Sequence, residues 1–444
     1  MAAFEQRVPR YTSYPTAPHF HSDIGREAYR DWLAELPAGQ PASLYFHVPF
    51  CDSLCWFCGC HTKIVRRSEP VAAYLETLLR EVDLVAEAIG MPQQVSHIHW
   101  GGGTPTILAA DDVLRLAERL RQRFAVAEDA EFAVEIDPRE LPSATVVALG
   151  RAGVNRASLG VQDVNPDVQR AVNRIQPMEV TRRAVDHLRS VGVRSINIDL
   201  MYGLPNQTER HIQATIDAVL GLAPDRLSLF GYAHLPSFKT HQKMIDAAAL
   251  PDGPARWRQF TSAAERLQDE GYVWVGLDHF ARPGDPLAAA LAGGHLRRNF
   301  QGYTTDRAAA LIGFGASAIG ELPQGYVQNA VPLHAWREAV ENGRLATSRG
   351  FVLDDEDRLR RHVIERLMCD LSADLAAACG RYGRRMDHFA QELSALGELE
   401  REALVEISGG TVRLADAARP LMRVVAAVFD TYLSRSPAAH AKAV

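Results

Sequence analysis

The stretch Tyr45-Phe-His-Val-Pro-Phe-Cys51-Asp-Ser-Leu-Cys55-Trp-Phe-Cys58-Gly-Cys60 joins an apolar, strand-like segment to a loop with four of the chain's six cysteines. Cys51, Cys55 and Cys58 form a C-x3-C-x2-C array. Thiolates are soft ligands that suit zinc or an iron–sulfur cluster. A fully ligated cubane cluster is held by four cysteines, so an array of three leaves one iron open. The spacing therefore favours an iron–sulfur cluster whose open iron can bind a small chelating ligand.

Three other interpretations of the cysteine loop remain at this point. A structural zinc site usually combines a nearby cysteine pair with a distant Cys or His pair, which this loop lacks. A disulfide pair is disfavoured because six cysteines in 444 residues are typical of a protein from a reducing compartment. A chance grouping of core cysteines is disfavoured because the loop is polar and tight.

Composition favours a globular enzyme of two or three domains. The chain has 444 residues, of which 47% are hydrophobic and 23% charged. Its formal net charge of −6 argues against a broad nucleic-acid surface, which would be basic. No run of about 18 or more apolar residues predicts a membrane span, and the first residues lack the apolar core of a signal peptide. We therefore expect a cytoplasmic protein with no nucleic-acid or membrane partner.

Strand-like and helix-like segments alternate from about residue 41 onwards. The strand-like segments cover residues 43–48, 95–100, 131–136, 155–161, 195–200, 226–232 and 272–276. Segments with apolar residues three and four positions apart lie between most of them and predict helices. Repeated strand–helix units predict a parallel sheet with helical crossovers, in an α/β fold. Their number favours a full or partial (β/α) barrel, with a doubly wound sheet as the alternative.

Three regions are predicted. Residues 1–40 contain Pro9, Pro15 and Pro18 without an apolar period, which predicts an extended N-terminal arm. Composition favours a strap packed on the next domain over an arm that reaches the functional site. Residues 41–345 form the barrel domain.

The pattern changes beyond about residue 290. Residues 296–305 are polar and aromatic and are predicted to form a loop, whereas residues 313–320 are glycine-rich without the Lys-Ser/Thr of a P-loop. Residues 346–444 form a mostly helical C-terminal domain, with a hairpin at 404–414 around a Gly-Gly turn. Helices followed by a hairpin suggest a winged-helix-like domain. DNA binding is one interpretation of it, but the negative net charge favours a packing or lid role.

Polar and glycine residues fall at the C-terminal ends of the predicted strands, where (β/α) barrels carry their chemistry. The cysteine loop follows the first strand, Gly101–Gly103 follow the second, and Gln162 follows the fourth. Glu135 and Asp199 end the third and fifth strands. The glycines make a tight turn or allow close approach to a ligand.

Buried carboxylates need a partner. Glu135 and Asp199 therefore either pair with an arginine such as Arg156 or Arg174, or bind a hydroxyl or ammonium group of a ligand.

The cysteine array closely resembles the signature of the radical S-adenosylmethionine (SAM) enzymes, in which SAM chelates the open iron of a [4Fe–4S] cluster. Within that superfamily the chain is similar to the oxygen-independent coproporphyrinogen III oxidase family along nearly its whole length. The resemblance is carried by Pro9-Arg-Tyr-Thr-Ser-Tyr-Pro-Thr16, Cys51–Cys60, His99-Trp-Gly-Gly-Gly-Thr-Pro-Thr106, Gly160-Val-Gln-Asp163, Asn173-Arg-Ile-Gln176, Asp199-Leu-Met-Tyr-Gly-Leu-Pro205, Tyr232-Ala-His-Leu-Pro236, Asn299-Phe-Gln-Gly-Tyr-Thr-Thr305 and Phe429-Asp-Thr-Tyr-Leu433.

The resemblance implies roles for individual residues and two bound SAM molecules. It implies that Cys51, Cys55 and Cys58 are the cluster ligands, and that Cys60 is a fourth cysteine that does not bind the cluster. Cys60 and Tyr45 are the predicted catalytic residues. The positions that match contacts of the cluster-bound SAM are Tyr45, Gly102, Glu135, Ala233 and Ile319. Those that match contacts of the second SAM are Phe57, Gly103, Thr104, Gln162, Arg174 and Asp199.

The implied reaction is the oxidative decarboxylation of two propionate side chains of coproporphyrinogen III to vinyl groups, in anaerobic heme synthesis. A radical from SAM takes hydrogen from the propionate β-carbon, and carbon dioxide and an electron then leave to give protoporphyrinogen IX. The implied partners are coproporphyrinogen III and a low-potential electron donor such as flavodoxin or ferredoxin, and the protein is expected to be a monomer. Because arginine pairs well with carboxylates, the candidates for the substrate's carboxylates are Arg10, Lys239, Arg297 and Arg298.

A heme-binding or heme-transfer relative without decarboxylase activity is the alternative. Such relatives typically carry Phe at the position of Cys60 and lack the Pro-Arg-Tyr-Thr-Ser-Tyr arm. Both features of this chain favour the decarboxylase.

Overall fold

The computed structural model of the protein describes residues 6–435. Residues 1–5, at the start of the predicted arm, and residues 436–444, at the end of the predicted C-terminal domain, lie outside the described residues. None of the described helices is long and apolar enough to cross a membrane.

Strands make up one large sheet and several small ones. In chain order they are β1 (Ala42–Val48), β2 (Phe50–Cys51), β3 (Lys63–Ile64), β4 (Gln94–Gly102), β5 (Ala125–Ile136), β6 (Arg156–Gln162), β7 (Ser195–Tyr202), β8 (Arg226–Gly231), β9 (Val273–Val275), β10 (His279–Ala281), β11 (Arg297–Asn299), β12 (Gly302–Thr304), β13 (Ala310–Phe314), β14 (Ile319–Leu322), β15 (Gly325–Asn329), β16 (Thr347–Val352), β17 (Ser372–Asp374), β18 (Val405–Ser408) and β19 (Thr411–Leu414).

Helices connect the strands and cover the sheet. In chain order they are α1 (Arg26–Ala34), α2 (Glu69–Ile89), α3 (Ala110–Arg123), α4 (Ser143–Ala152), α5 (Pro166–Ala171), α6 (Met178–Ser190), α7 (Glu209–Leu220), α8 (Gly253–Asp269), α9 (Pro286–Ala292), α10 (Leu333–Glu341), α11 (Asp355–Asp370), α12 (Leu375–Arg381), α13 (Ala390–Arg401) and α14 (Met422–Ala427).

The large sheet has the strand order β16-β15-β14-β13-β1-β4-β5-β6-β7-β8-β10-β9. From β1 to β8 the neighbours are parallel and follow the order of the chain. These six parallel strands wind in one direction without a reversal, as in a (β/α) barrel, and β13 pairs in parallel on the other side of β1. Within the described residues no pairing joins β9 to β16, so the sheet stays open. The predicted partial (β/α) barrel is therefore confirmed.

Three local predictions were wrong. The last strand-like segment, β9, is an antiparallel edge strand paired with β10 and does not extend the parallel series. Residues 296–305 form the hairpin β11–β12 instead of a loop, because three-residue strands are too short to show an alternating pattern. The predicted extended arm contains helix α1, whose buried residues are Tyr29, Trp32 and Leu33. These residues are three and four positions apart, a helical spacing that the prediction of an extended arm overlooked.

The C-terminal region has the order helix, strand, helix, helix, hairpin. Strands β17, β19 and β18 form a three-stranded sheet beside helices α11 to α13. The predicted hairpin is confirmed, and Gly409 and Gly410 turn it with φ of 58° and 85°, a pair of positive values that glycine adopts most easily. This order of elements is that of a winged helix.

The N-terminal arm packs against the C-terminal region. Tyr11 and Tyr14 belong to its hydrophobic core. The Tyr11 hydroxyl donates to Asp430 Oδ2 at 3.0 Å, and the hydroxyls of Tyr14 and Thr431 are 3.1 Å apart. The domain limits at residues 40 and 345 stay a prediction, but β16 pairs with β15 and so carries the large sheet past residue 345.

A buried carboxyl joins helix α2 to the glycine-rich turn after β13. Glu81 is 2% exposed, and its two oxygens accept from the Gly315 amide at 2.6 Å and from Asn329 Nδ2 at 2.7 Å. Burial raises the pKa of Glu81 from 4.5 to about 7, against the lowering effect of these hydrogen bonds. The glycine-rich segment therefore binds the side chain of Glu81 from helix α2 through a backbone amide.

The raised pKa of Glu81 predicts a pH-dependent stability. A carboxyl whose pKa is higher in the folded than in the unfolded chain stabilises the fold fully below its unfolded pKa, and this stabilisation is lost as the pH rises through its folded pKa. We expect the free energy of unfolding to fall by about 2 kcal/mol from this group between about pH 5 and about pH 8. Denaturant unfolding of wild type and Glu81→Gln at both pH values measures it. Equal pH dependence of stability in the two proteins would show that Glu81 is not the group responsible.

Candidate active site

The cysteine loop, Cys51–Cys60, lies between β2 and β3 and is held through its backbone carbonyls. Side chains from distant segments donate to these carbonyls. The donor–acceptor pairs are Asn173 Nδ2 to Leu54 O at 2.7 Å, Gln242 Nε2 to Phe57 O at 3.1 Å, His241 Nε2 to Cys58 O at 2.8 Å and Lys239 Nζ to Cys60 O at 3.0 Å. Tertiary contacts to its backbone thus hold the loop in shape.

The sulfur atoms of two cysteines receive hydrogen bonds from cationic or hydroxyl donors. Cys55 is buried, and its Sγ accepts from Arg174 Nη1 at 3.3 Å and from Arg139 Nη2 at 3.4 Å. Thr104 Oγ1 donates to Cys51 Sγ at 3.6 Å. At Cys51, burial outweighs the Thr104 hydrogen bond and raises the pKa to about 11. Donors at these positions can nevertheless hydrogen-bond to metal-bound sulfur.

Asp137 positions both arginines. It lies 2.6 Å from Arg139 Nη2 and 3.1 Å from Arg174 Nη1. Burial would raise the pKa of Asp137, but the hydrogen bonds of Arg139 and the charges of Arg174 and Arg139 outweigh it and lower the pKa. The carboxylate is therefore ionised and orients two guanidinium groups towards Cys55.

The three cysteines fit a cluster better than a single zinc ion. Within residues 6–435 no three His, Cys, Asp or Glu side chains converge on one ion. A structural zinc ion needs four ligands on one centre, whereas a cubane cluster takes each cysteine on a different iron. Three cysteines on one loop, with hydrogen-bond donors at the sulfurs of Cys51 and Cys55, match what a cubane cluster requires.

Cys60 differs from the three cysteines of the array. Its residue is exposed, and its carbonyl is bound by Lys239. A hydrogen bond between the two sulfurs lowers the pKa of Cys58 to about 6 and raises that of Cys60. Within this pair Cys60 therefore holds its proton more strongly than Cys58.

A cavity of about 420 Å³ opens beside Tyr45 and brings together predicted site residues from separate strands. Tyr45, Glu135 and Ile319 line it, together with His47 and Arg349. These three are predicted contacts of one SAM molecule.

Gly102 joins this group through Glu135. Its amide donates to Glu135 Oε2 at 3.0 Å, and His99 Nε2 is 3.1 Å from Oε1 of the same carboxylate. Burial would raise the pKa of Glu135, but His99 and the Gly102 amide lower it. Glu135 is thus an ionised acceptor at the cavity.

The glycine turn after β4 is packed too closely for any side chain. A Cβ built on Gly102, which has φ 112°, would lie 2.6 Å from His47 Nδ1, and one on Gly103 would lie 2.5 Å from Phe50 O. The amides of Gly103 and Thr104 donate to Val48 O at 2.8 Å and Phe50 O at 2.7 Å. The glycines therefore fix the turn against the segment that leads into the cysteine loop.

The remaining predicted residues fall into smaller groups. Arg174 Nη2 donates to Gly160 O at 2.6 Å, and a Cβ at Gly160 would be 3.0 Å from both Arg174 and Gln162. The Oε1 of Gln162 and the Nε of Arg174 are buried without a partner among the described residues. Gln242 links Ala233 to Phe57 by donating to both carbonyls, at 3.2 and 3.1 Å.

Asp199 lies in a separate hydrogen-bonded set. It accepts from Ser158 Oγ at 2.9 Å and from Asn197 Nδ2 at 2.8 Å, and burial raises its pKa. Among residues 6–435, no hydrogen bond joins this set to the cysteine loop.

The arginine pairing considered for Glu135 and Asp199 was wrong. Arg156 pairs with Glu131 at 2.7 Å, and Arg174 pairs with Asp137. Sequence reasoning missed Asp137 and Arg139. Asp137 stands two residues beyond Glu135, at the same strand end, and that position was a signal available in the sequence.

The candidates for carboxylate binding separate into two kinds. Arg297 pairs with Glu365 at 3.0 Å, and Lys239 holds the carbonyl of Cys60. Arg10 and Arg298 lie together, because Arg298 Nη2 donates to Arg10 O at 3.3 Å.

Comparison with known proteins places this geometry in a family. The radical SAM superfamily matches residues 45–219. The chain is 54% identical over 440 residues to an oxygen-independent coproporphyrinogen III oxidase of Bradyrhizobium diazoefficiens, covering 99% of this chain and 98% of that protein. It is 40% identical to the protein of that name from Pseudomonas aeruginosa, covering 96% and 93%. The solved structure of a coproporphyrinogen III oxidase from Escherichia coli, described as a radical SAM enzyme, superimposes with a TM-score of 0.91 at 39% identity, covering 96% of this chain and 100% of that one.

Proposed function

From the premise that the chain belongs to the oxygen-independent coproporphyrinogen III oxidases of the radical SAM superfamily, we infer that it oxidatively decarboxylates coproporphyrinogen III in heme biosynthesis. The observation that carries this function is 54% identity along 99% of the chain to a protein of that name. The donors aimed at Cys51 and Cys55 support it, because they supply the environment that cluster-binding thiolates need.

Each group of residues has a chemical task in this function. A [4Fe–4S] cluster held by Cys51, Cys55 and Cys58 would supply, together with SAM, an electron and the radical chemistry that removes hydrogen from a propionate. Arg139 and Arg174 donate hydrogen bonds to the Cys55 sulfur. Glu135, ionised at the cavity, accepts hydrogen bonds from an ammonium group.

The two groups of predicted SAM contacts support two SAM molecules per chain. Tyr45, Glu135 and Ile319 of the first group line the cavity, whereas Arg174 and Thr104 of the second group donate to the sulfurs of Cys55 and Cys51. Equilibrium binding of labelled SAM to the cluster-loaded protein tests this count. A stoichiometry of one per chain would leave the second group without its proposed ligand.

The function is tested by an anaerobic assay. Cluster-loaded protein, SAM and a reductant are incubated with coproporphyrinogen III, and the expected product is protoporphyrinogen IX with two molecules of carbon dioxide. An unchanged substrate would sink the proposal. Tight stoichiometric heme binding without turnover would identify the chain as a heme carrier instead.

The outer face of the cysteine loop supports an acidic redox protein as electron donor. Lys63 and Lys243 are exposed there, and Phe238 and Met244 are each 60% exposed. Lys243 stands two residues beyond His241, which binds the Cys58 carbonyl. Exposed lysines beside exposed apolar side chains suit an acidic carrier such as flavodoxin or ferredoxin.

We expect Lys243→Glu to slow cluster reduction by such a carrier about tenfold at low salt, because a rim charge mainly changes the association rate. Reduction by dithionite, which needs no protein docking, should be unchanged. Arg384→Glu changes the charge equally at an exposed position of the C-terminal region and is the matched control. Equal slowing in both variants would argue against this docking face.

The family resemblance also underlies a proposed monomeric state, cytoplasmic location and division into arm, barrel and C-terminal domain. The proposed boundary at residue 345 lies just before β16, which pairs with β15 of the large sheet. Sedimentation of the purified protein tests the monomeric state, and limited proteolysis tests the domain boundary. A dimer, or cleavage first within residues 41–345, would contradict them.

A further inference from the structure

Arginines from separate elements converge beyond the carboxyl ends of β7 and β8. The four are Arg10 in the arm, Arg256 in α8, Arg298 in β11 and Arg423 in α14. The Cζ of Arg256 lies 5.3 Å from the centre of the Tyr202 ring, and the Cζ of Arg10 lies 5.8 Å from that of Phe230. Tyr202 and Phe230 stand at the ends of β7 and β8, so the four side chains face one region.

Carboxylates are scarce in this region. Among residues 6–435, Arg10, Arg256 and Arg298 form no ion pair. The one nearby carboxylate, Asp278, is hydrogen-bonded to His279 at 2.8 Å. Burial would raise the pKa of Asp278, but His279, Arg298 and Arg10 lower it to about 2. Asp278 is thus an ionised carboxylate that faces Arg298 and Arg10.

The arginines repel one another as a result. Burial and then the charge of Arg10 lower the pKa of Arg423 to about 10. Burial also lowers the pKa of Arg256, and Arg10 adds to that effect. Arginines just outside the region differ, since Arg297 pairs with Glu365 and Arg361 with Glu321.

Hydrogen bonds that hold the N-terminal arm in place use only some of the donors of these arginines. Arg298 donates to Arg10 O at 3.3 Å, Arg423 donates to Val8 O at 3.3 Å, and Arg10 donates to Gly231 O at 3.1 Å. A guanidinium has five donors, however, and a carbonyl carries no charge. Arg298 is 9% exposed, and its Nη1 is buried without a hydrogen-bond partner in the described part of the chain. Buried charge of one sign calls for an anionic partner.

The arginines lie at the same sheet edge as the candidate active site. Gly231, which accepts from Arg10, is two residues before Ala233, and Gln242 links the Ala233 carbonyl to that of Phe57 in the cysteine loop. Tyr202, on which Arg256 stacks, is three residues after Asp199. A ligand bound by the arginines would therefore extend towards the cysteine loop.

We propose that Arg10, Arg256 and Arg298 bind carboxylates of the substrate that are not reacting, with Arg423 adding its charge to the same region. The identity of the ligand rests on the proposed function. The substrate carries four propionates, and while one reacts the others remain ionised. Arginine suits them because its planar donors match a carboxylate in a bidentate pair.

Binding of a non-reacting analogue tests the proposal. Coproporphyrin III, the oxidised tetracarboxylate, and its tetramethyl ester are titrated into the full-length, cluster-loaded protein, and binding is followed by fluorescence. Arg256→Gln and Arg298→Gln are each expected to weaken binding of the free acid about tenfold and to leave binding of the ester unchanged. Arg256→Lys, which keeps the charge, should recover part of the affinity. Arg258→Gln, at an exposed position two residues along α8, is the matched control and should bind normally.

Several results would overturn the proposal. Unchanged affinity for the free acid in Arg256→Gln would do so, and so would an equal loss for the acid and the ester. If Arg298→Gln fails to fold, the exposed arm variant Arg10→Gln gives the same test.

The two proposals fail in distinguishable ways. Wild-type protein that binds coproporphyrin through these arginines but leaves coproporphyrinogen III unchanged would sink the proposed function alone. Active wild type with unaffected binding in the arginine variants would sink this inference alone.

Discussion

Cys55→Ser is expected to abolish SAM cleavage and to remove the cluster iron. Cys55 is the buried cysteine of the array, and two guanidinium groups donate to its sulfur. A serine hydroxyl is a hard, poorly acidic ligand that does not replace a thiolate on iron. Iron analysis and absorption of anaerobically purified and reconstituted protein measure the loss.

Cys60→Ser is the contrasting variant for this prediction. Cys60 is predicted to lie outside the ligand set, so its variant should retain the iron, about four per chain for a cubane, while losing decarboxylation. A full iron content in Cys55→Ser, or loss of iron in Cys60→Ser, would show that the ligand set has been assigned incorrectly.

Gly103→Ala is expected to have an equally large effect without removing any ligand. Its new Cβ would lie 2.5 Å from Phe50 O and 2.9 Å from Phe50 N, and these are backbone atoms that have no rotamer to adopt. The segment that leads into Cys51 must therefore move, and the Thr104–Cys51 contact moves with it. We expect loss of SAM cleavage together with a destabilisation of about 1–3 kcal/mol, typical of overpacking.

The control for Gly103→Ala is Gly59→Ala. Gly59 lies in the cysteine loop, but a Cβ there meets nothing within 4 Å. Thermal unfolding of the cluster-free proteins should therefore separate the two, with Gly59→Ala close to wild type. Wild-type stability and SAM cleavage in Gly103→Ala would mean that the turn has more room than its contacts indicate.

The fold was predictable where short-range patterns encode it. The parallel strands from β1 to β8 could be predicted because short strand-like segments alternate with segments whose apolar residues recur three and four positions apart. The hairpin β18–β19 was predictable from its Gly-Gly turn. Short pieces such as β11 and β12 were missed, because three residues carry too little pattern.

The candidate site was predictable only in part. Family motifs predicted Tyr45, Glu135 and Ile319 as one group, and all three line one cavity. The partners of Glu135 were predicted incorrectly, because burial requires a partner without specifying which residue supplies it. His99 and the Gly102 amide take that place.

The sequence by itself determined the cluster-binding array and the order of the strands, because both depend on residues that are close along the chain. Only the tertiary structure decided which side chains from distant parts of the chain contact one another. Arg139 and Arg174 reach Cys55 from separations of 84 and 119 residues, and Arg423 meets the arm from 415 residues away. Contacts over such separations depend on how every intervening element packs. For that reason the thiolate donors around Cys55 and the arginines beyond β7 and β8 became visible only in the folded chain.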